Sequence, residues 1–255
     1  MISKFDFTGK RYLITGASSG MGAQIAQYLS QLGAFLILTA RREDKLCEVV
    51  NSLAGREHKY YGSDLQQVVT VEPLMERIID ENGPLDGLVY CAGNGKVVPI
   101  RMAKYKYVQQ VMSVNYFSFI ETIRCLVKNG CCNDGTNIVG ISSTSAQRAA
   151  KTQTVYAASK AAMDASVRSL AKELAERNIR INTIAPAIIK TDSKIYKDFV
   201  EQGAGSEDLK MMFARQYLGE GTPVDVAYMV AFLLSDMSRM ITGATIAIDG
   251  GMLSS

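Results

Sequence analysis

The 255-residue chain has no tryptophan, one histidine and only five prolines. A Ser-His-Asp mechanism or a histidine-rich metal centre would have to rest on His58 alone. Its neighbours Glu57, Lys59 and Tyr60 mark an ordinary surface position entering a strand. The five cysteines lack metal-ligand spacing. Cys131-Cys132 is a vicinal pair with no histidine or second pair beside it, so reduced thiols are expected. Neither sign of charge dominates: 28 basic residues face 25 acidic ones, for a net charge of +3. That balance argues against nucleic acid or an anionic membrane as the main partner. The longest apolar runs, such as residues 230–234, are too short to span a bilayer. The first residues carry Lys4, Asp6, Lys10 and Arg11 rather than an apolar leader. The expectation is a cytoplasmic protein with no metal, nucleic-acid or membrane partner.

What the chain does have is apolar residues, 47% of the total, in alternating short and long stretches. Residues 11–15, 35–39, 59–62, 87–91, 137–142, 180–185 and 245–248 read as strands. Residues 21–32, 43–53, 69–81, 104–128, 155–177 and 223–234 read as helices. The strands are apolar on both faces, as buried parallel strands must be. The class is therefore α/β, a doubly wound sheet with helices on both sides, and residues 1–255 form one domain. Residues 191–221 break the rhythm. They are polar, carry Gly203, Gly205 and Gly219, and are expected to form an excursion off the sheet, either a helical lid or a disordered insertion.

Directly after the first strand comes Thr15-Gly16-Ala17-Ser18-Ser19-Gly20-Met21-Gly22. A strand, a glycine-rich turn and a helix start form a phosphate-binding arrangement. Glycines admit the pyrophosphate to the backbone, and the helix start offers free N–H groups and a positive dipole end. The second strand ends in Ala40-Arg41-Arg42, without the acid that usually holds a ribose 2′-hydroxyl. A guanidinium pair suits a 2′-phosphate, which favours NADP(H) and leaves NAD(H) possible. Pairing of Arg41 and Arg42 with Glu43 and Asp44 is the alternative. Tyr156 and Lys160, at i and i+4, share a helix face. A neighbouring ammonium would lower the phenol pKa and make Tyr156 a proton donor or acceptor near neutral pH. Ser142-Ser143 closes a strand at the edge where such sheets bind ligands.

These residues, with Ser143 thirteen positions before Tyr156 and Asn115 in a Val-Asn-Tyr context, resemble the short-chain dehydrogenase/reductase family over nearly the whole chain. The resemblance implies a Rossmann-like, seven-stranded parallel sheet and hydride exchange between NADP(H) and a small carbonyl or secondary alcohol. It implies that Tyr156 is the general acid/base, that Lys160 lowers its pKa and holds the nicotinamide ribose, and that Ser143 polarises the carbonyl. Asn115 would anchor a water leading from Lys160 to solvent. Gly16, Ser18, Ser19, Gly20, Met21 and Gly22 would meet the pyrophosphate, and Asp64-Leu65 the adenine. Cys91-Ala92-Gly93 would pass behind the cofactor. Pro186, Ile189 and Thr191 would belong to the loop over the nicotinamide amide.

The chain departs from the family at three places. Cys91 stands where asparagine is usual, and Ala187 where glycine follows the proline. The chain is broadly similar to 3-oxoacyl-carrier-protein reductases, yet Asp134 reverses the charge of one docking arginine while Arg177 keeps the other. The substrate pocket is expected from residues 94–98, 145–154 and 191–221. Gln147, Arg148, Lys151 and Gln153 would be polar contributors, and Ile195, Phe199, Met211, Met212 and Phe213 apolar ones. The resemblance also implies a homo-oligomer, tetramer or dimer, through the helices around 164–177 and 223–234. Small residues such as Ala161, Ala162, Ala165 and Ser169 would permit close helix contact. A non-catalytic NADP(H)-binding scaffold or sensor, a carrier-protein-specific reductase, and an epimerase or dehydratase remain the other readings.

Overall fold

Each central strand is apolar on both sides, and its two sides feed two different cores. Tyr12 and Ile14 of β1 (Arg11–Thr15) join one core and Leu13 the other. Leu36 and Leu38 of β2 (Phe35–Ala40) likewise oppose Ile37, and Val139 of β5 (Cys132–Ile141) opposes Ile138. A period-2 backbone with apolar residues at every position can be satisfied only between two helical layers. Full burial of each such side chain stabilises the fold by roughly 1.5–3 kcal/mol.

The computed structural model describes residues 5–55, 57–192, 196–197, 200–201 and 207–254. Its remaining strands are β3 (Lys59–Gly62), β4 (Leu85–Tyr90), β6 (Arg180–Pro186) and β7 (Thr245–Ile248). All pair in parallel, in the order β3-β2-β1-β4-β5-β6-β7. This is the doubly wound, seven-stranded sheet expected from the alternation. The order reverses between β1 and β4, and the crevice outside their carboxyl ends is where such sheets bind ligands. The α-helices described over their full length are α1 (Gly20–Gln31), α2 (Glu43–Asn51), α3 (Val71–Asn82), α4 (Tyr105–Met112), α5 (Ser118–Leu126), α6 (Thr154–Glu173), α7 (Glu207–Arg215) and α8 (Pro223–Leu234). Pro223 opens α8, and the Asp225 carboxylate accepts the Thr222 N–H at 2.7 Å.

Most boundaries fall within two residues of the sequence reading, and three places depart further. The single helix expected over 104–128 is interrupted by a π-turn, Ser113–Phe117, between α4 and α5. The wider turn carries Asn115, and π-turns recur at functional sites. Helix α6 stops before 177, because the chain tightens through Ala175–Arg177 and Asn178 adopts φ +53°. Strand β5 starts at Cys132 rather than Asn137, pairing with Leu85 across a register shift.

The excursion over 191–221 leaves and rejoins the sheet at one pinned point. Ile189 bridges Gly221; Lys190 N–H donates to Gly221 O (2.9 Å) and Gly221 N–H to Ile188 O (3.1 Å). The buried Gln216 side chain clamps both backbone groups of Ile188, at 3.1 and 3.0 Å. Helix α7 fills part of the excursion. Ile195, Phe199, Gly203 and Gly205 lie outside the described residues.

Candidate active site

Two cavities lie side by side at the carboxyl edge of the sheet. The first has a volume of about 340 Å³ and opens where β1, β2 and β4 end. Gly16, Ser18, Ser19, Gly20, Met21 and Gly22 form one wall, Arg41 and Arg42 a second, and Asp64, Leu65, Cys91, Ala92, Gly93 and Thr191 the rest. Gly16 sits at φ +68°, and a Cβ there would stand 2.8 Å from the Ala92 backbone. Only glycine lets this turn pass so close to the β4 exit. Thr15 locks the same junction: its hydroxyl accepts the N–H groups of Cys91 (3.1 Å) and Ala92 (3.0 Å).

Arg42 is aimed by the glycine loop itself. Its Nη2 donates to Ser18 Oγ (3.1 Å) and Ser19 Oγ (2.9 Å). Neither Arg41 nor Arg42 forms an ion pair among the described residues, so the alternative pairing with Glu43 and Asp44 is not what this structure adopts. The arrangement fits a dinucleotide phosphate: a side-chain-free cradle, a helix start and a guanidinium held ready by hydroxyls. The walls also include Ala40, Ser63, Gln66, Asn94 and Val114, none of which was assigned to the cofactor. Ser63 and Gln66 flank Asp64-Leu65 and Asn94 follows Gly93, so extending those motifs would have found three of the five.

The second cavity, about 180 Å³, is lined by Ser143, Tyr156, Gln153, Ala187, Met212 and Met252 among others. Met21 and Thr191 line both cavities and so mark where they meet. Of the residues expected to touch cofactor, Tyr156 and Ile189 face this second cavity, while Lys160 and Pro186 line neither. Gly95, Lys96, Val97, Ser145 and Tyr196 come from the three stretches expected to form the substrate pocket. Arg148, Lys151 and Met211 instead line a neighbouring hollow, and Gln147 and Phe213 line none of these cavities. Thr144 and Met252 were not anticipated, while Ile188 comes from the loop expected over the nicotinamide; Met252 reaches the site only because β7 returns beside β6.

Ser143 follows the end of β5 and is buried, its Oγ accepting the Ser145 N–H at 3.1 Å. Tyr156 and Lys160 lie one turn apart on α6. Gly95 is pressed against the tyrosine ring, where a Cβ would come within 2.4 Å of Cδ2. Lys160 is buried, and its Nζ donates to Ile141 O at 2.6 Å and lies 6.0 Å from the Tyr156 ring centre. Burial lowers the Lys160 pKa to about 8, against the opposing pull of Cys91 and Asp164. Burial raises the Tyr156 phenol above its ordinary value, with the Ser143 hydroxyl acting in the opposite direction. The sequence reading expected a lowered phenol. In the protein alone desolvation of the phenol is the largest cause and outweighs the Ser143 hydrogen bond. Cys91 is likewise pushed up to about 11 by burial, so its thiol stays protonated beside Lys160.

Asn115 is fully buried in the π-turn. Its Oδ1 accepts the Asn94 N–H (2.7 Å), and its Nδ2 donates to Asn94 O (2.8 Å) and Ser159 Oγ (2.9 Å). The side chain therefore splices the β4 exit loop to α6, between Tyr156 and Lys160. Ala187 takes an ordinary negative φ, donates its N–H to Ile248 O (3.0 Å) and lines the second cavity. Arg177 is engaged elsewhere. It pairs with Asp134 (3.0 Å) and donates to the carbonyls of Val127 (2.9 Å) and Cys132 (3.2 Å). His58 is a loop brace: Nδ1 accepts the Leu36 N–H (3.1 Å), which leaves Nε2 to donate to Ala54 O (2.8 Å).

Comparison with known proteins agrees with this geometry. A family model described as enoyl-(acyl carrier protein) reductase matches residues 16–253. The L-xylulose reductase of Caenorhabditis elegans is 33% identical over 253 residues, 98% of this chain and 98% of the relative. The 3-oxoacyl-[acyl-carrier-protein] reductase FabG of Rickettsia conorii is 34% identical over 255 residues, 97% of this chain and 98% of the relative. The crystal structure of a blue fluorescent protein from a metagenomic library, in complex with NADPH, is 30% identical, has a TM-score of 0.88, and is matched over 97% of this chain and 99% of that one. A glycine loop at the β1 exit, a serine after β5 and a Tyr-x-x-x-Lys turn on α6, along one parallel sheet, complete the case: the chain belongs to the short-chain dehydrogenase/reductase family of oxidoreductases.

Proposed function

We propose that this oxidoreductase prefers NADP(H), accepts NAD(H) less well, and interconverts a small carbonyl compound with its secondary alcohol, using Tyr156 as general acid/base. The observation that carries the reading is the placement of Tyr156 and Ser143 in a compact cavity that adjoins the phosphate-binding cavity and shares Met21 and Thr191 with it. When bound, the nicotinamide supplies or accepts the hydride. Arg42, fixed by Ser18 and Ser19, receives the 2′-phosphate, with Arg41 beside it. Asp64 and Leu65 border the adenine end, Ala92 and Gly93 support the middle, and Ile189 and Thr191, on the loop that follows Pro186, close over the nicotinamide end.

Ser143 donates to the substrate carbonyl and orients it. Tyr156 delivers its proton to that oxygen in reduction and takes it back in oxidation. The raised phenol of the free protein suits the donor role. Lys160 is held by Ile141 O below the tyrosine, where its ammonium favours the phenolate left after transfer. Asn115 acts as a positioning residue through Asn94 and Ser159. A water link from Lys160 to solvent then falls to its backbone carbonyl, because the side chain is occupied.

The bonding of Arg177 favours a free small molecule over a carrier-protein substrate, since this arginine braces Asp134 and two carbonyls instead of standing ready for a phosphate. The complete set of Asn115, Ser143, Tyr156 and Lys160 favours a catalyst over a non-catalytic scaffold. We extend the reading to one domain over 1–255 and to a cytoplasmic homo-oligomer, tetramer or dimer. No helix among the described residues is long and apolar enough to cross a membrane. Exposed Ala165 and Ser169 on α6, and exposed Tyr228, Met237 and Met240 near α8, offer faces for subunit contact.

The test is a screen of small ketones and ketoses with NADPH, followed by nicotinamide absorbance. The expected result is turnover that falls by about 10³-fold in Tyr156→Phe while NADPH binding persists. Full activity in that variant, or no reduction of any carbonyl by NADPH-loaded protein, would overturn the reading.

A further inference from the structure

Among the polar residues of the substrate cavity that the proposed chemistry leaves without a role is Gln153. Gln153 stands at the start of α6, three residues before Tyr156, and is only 9% exposed. Its amide is held one way round. Oε1 accepts both the Ser145 hydroxyl (3.0 Å) and the Ala150 N–H (3.3 Å). A backbone N–H can only donate, so the atom facing Ala150 must be the oxygen, and the amide flip is excluded. The NH₂ end is thereby directed away from this pair. Nε2 has no hydrogen-bond partner among the described residues, and it is not among the side-chain atoms sealed from solvent without a partner. The residue lines the substrate cavity, which is where so buried an amide retains access.

The surroundings hold that donor in place. Thr152, immediately before Gln153, is a β-branched residue at φ +68°, a conformation found where the surrounding structure enforces it. Its carbonyl accepts the Val98 N–H at 3.0 Å, tying the loop before α6 to the opposite wall of the cavity. Through Ser145, whose N–H donates to Ser143 Oγ, the same network reaches the serine assigned to the substrate carbonyl. Around it the wall is mainly apolar: Val97, Ile188, Ile189, Met212 and Met252. No aspartate or glutamate lines the cavity among the described residues, and the two hydrogen bonds of the Gln153 amide both fall on Oε1.

We propose that Gln153 Nε2 is a specificity-determining donor, and that the substrate carries a second acceptor oxygen on the carbon next to the reacting carbonyl or one carbon further. The inference rests on the carbonyl-reductase reading. Gln153 is the N-cap of α6 and Tyr156 the third residue of its first turn, and both line the same cavity. A donor so placed therefore meets substrate atoms close to the carbonyl that Tyr156 and Ser143 hold, and not a distant tail. An oxygen there completes a buried donor; a methylene leaves it unpaired, which is the larger source of discrimination. The substrate class is a small oxygenated carbonyl, such as an alkoxy, hydroxy or oxo ketone, rather than a plain alkyl ketone.

The experiment compares isosteric pairs in which an ether oxygen replaces a methylene: methoxyacetone against pentan-2-one, and 4-methoxybutan-2-one against hexan-2-one. Each is reduced with NADPH by wild type, Gln153→Met and Gln153→Glu. Methionine keeps the volume and removes the donor. Glutamate, assayed above neutral pH, keeps the oxygen that Ser145 and Ala150 hold and replaces the donor by a charged acceptor, so that the effect common to the neutral methionine and the charged glutamate is the loss of the donor. For at least one pair, the ether-to-alkyl ratio of kcat/KM in wild type should exceed that in both variants by roughly tenfold, mainly through KM. The intrinsic reactivity of each ketone cancels in that comparison. Tyr156-dependent turnover with the same ratio in all three proteins would overturn this proposal and leave the carbonyl-reductase reading standing. Absence of Tyr156-dependent turnover of every ketone by NADPH-bound wild type would overturn both.

Discussion

The two cavities at the sheet edge are neighbours built by different means. The cofactor cavity is made by strand ends and by backbone: Gly16 against Ala92, Thr15 locking the β4 exit, Arg42 clipped to Ser18 and Ser19. The substrate cavity is made by loops that meet from far apart in the chain, and its apolar wall includes Met21, Met212 and Met252. Methionine is unbranched and adapts its shape, whereas a glycine cradle tolerates no added atom. One side of the active site is thus fixed for a constant ligand, and the other is adjustable apart from the Ser143–Ser145–Gln153 network that lies within it.

Substitutions on the two sides should therefore behave differently. The largest effect is expected for Gly16→Ala. The new methyl meets the Ala92 backbone at 2.8 Å at a residue with φ +68°, so NADPH affinity should fall more than about 100-fold and stability by roughly 1–3 kcal/mol. A fluorescence titration and a thermal melt measure both, and near-wild-type affinity would remove the cradle from the account. The next effect is in pH. Burial has lowered the Lys160 pKa to about 8, so its ammonium is present below that pH and lost above it. Reduction, followed as kcat/KM, should be level below about pH 8 and decline as pH rises through that value, approaching tenfold per unit. A profile that rises there would contradict the role of the Lys160 charge.

A smaller effect is expected on the adjustable side. Met212→Leu conserves volume, so it should change the KM of a ketone substrate several-fold, leave NADPH affinity unaltered and cost less than about 1.5 kcal/mol. A cofactor-affinity loss as large as that of Gly16→Ala would erase the contrast between the cavities. Least affected in function should be Arg177→Ala. It removes a brace between the α5 exit, β5 and Asp134, at about 1–3 kcal/mol of stability seen in denaturant melts, with turnover unchanged.

The same contrast explains what the sequence disclosed. Gly16 to Gly22, Arg41-Arg42 and the Tyr156-Lys160 pair carry their geometry in local spacing: a positive-φ turn, a helix start, one helix face. The sheet was legible for a similar reason, because strands apolar on both sides admit one kind of layering. Asn115 was legible as a residue, but its π-turn was not, since a helical pattern runs on through 113–117 and the extra backbone residue leaves no compositional mark. Met252 reaches the substrate cavity by long-range pairing of β6 and β7, which no short window contains. The direction of the Tyr156 pKa was missed because it depends on how completely Gly95 and its neighbours bury the ring.

The most direct measurement is a titration of the purified protein with NADPH and with NADH, followed by nicotinamide fluorescence, for wild type and Arg42→Ala. The account predicts saturable binding, tighter for NADPH, with a loss of about 10–100-fold for NADPH in the variant and little change for NADH. Equal binding of both cofactors by wild type would contradict the assignment of Arg42 to a 2′-phosphate. No binding of either to folded protein would contradict the account as a whole.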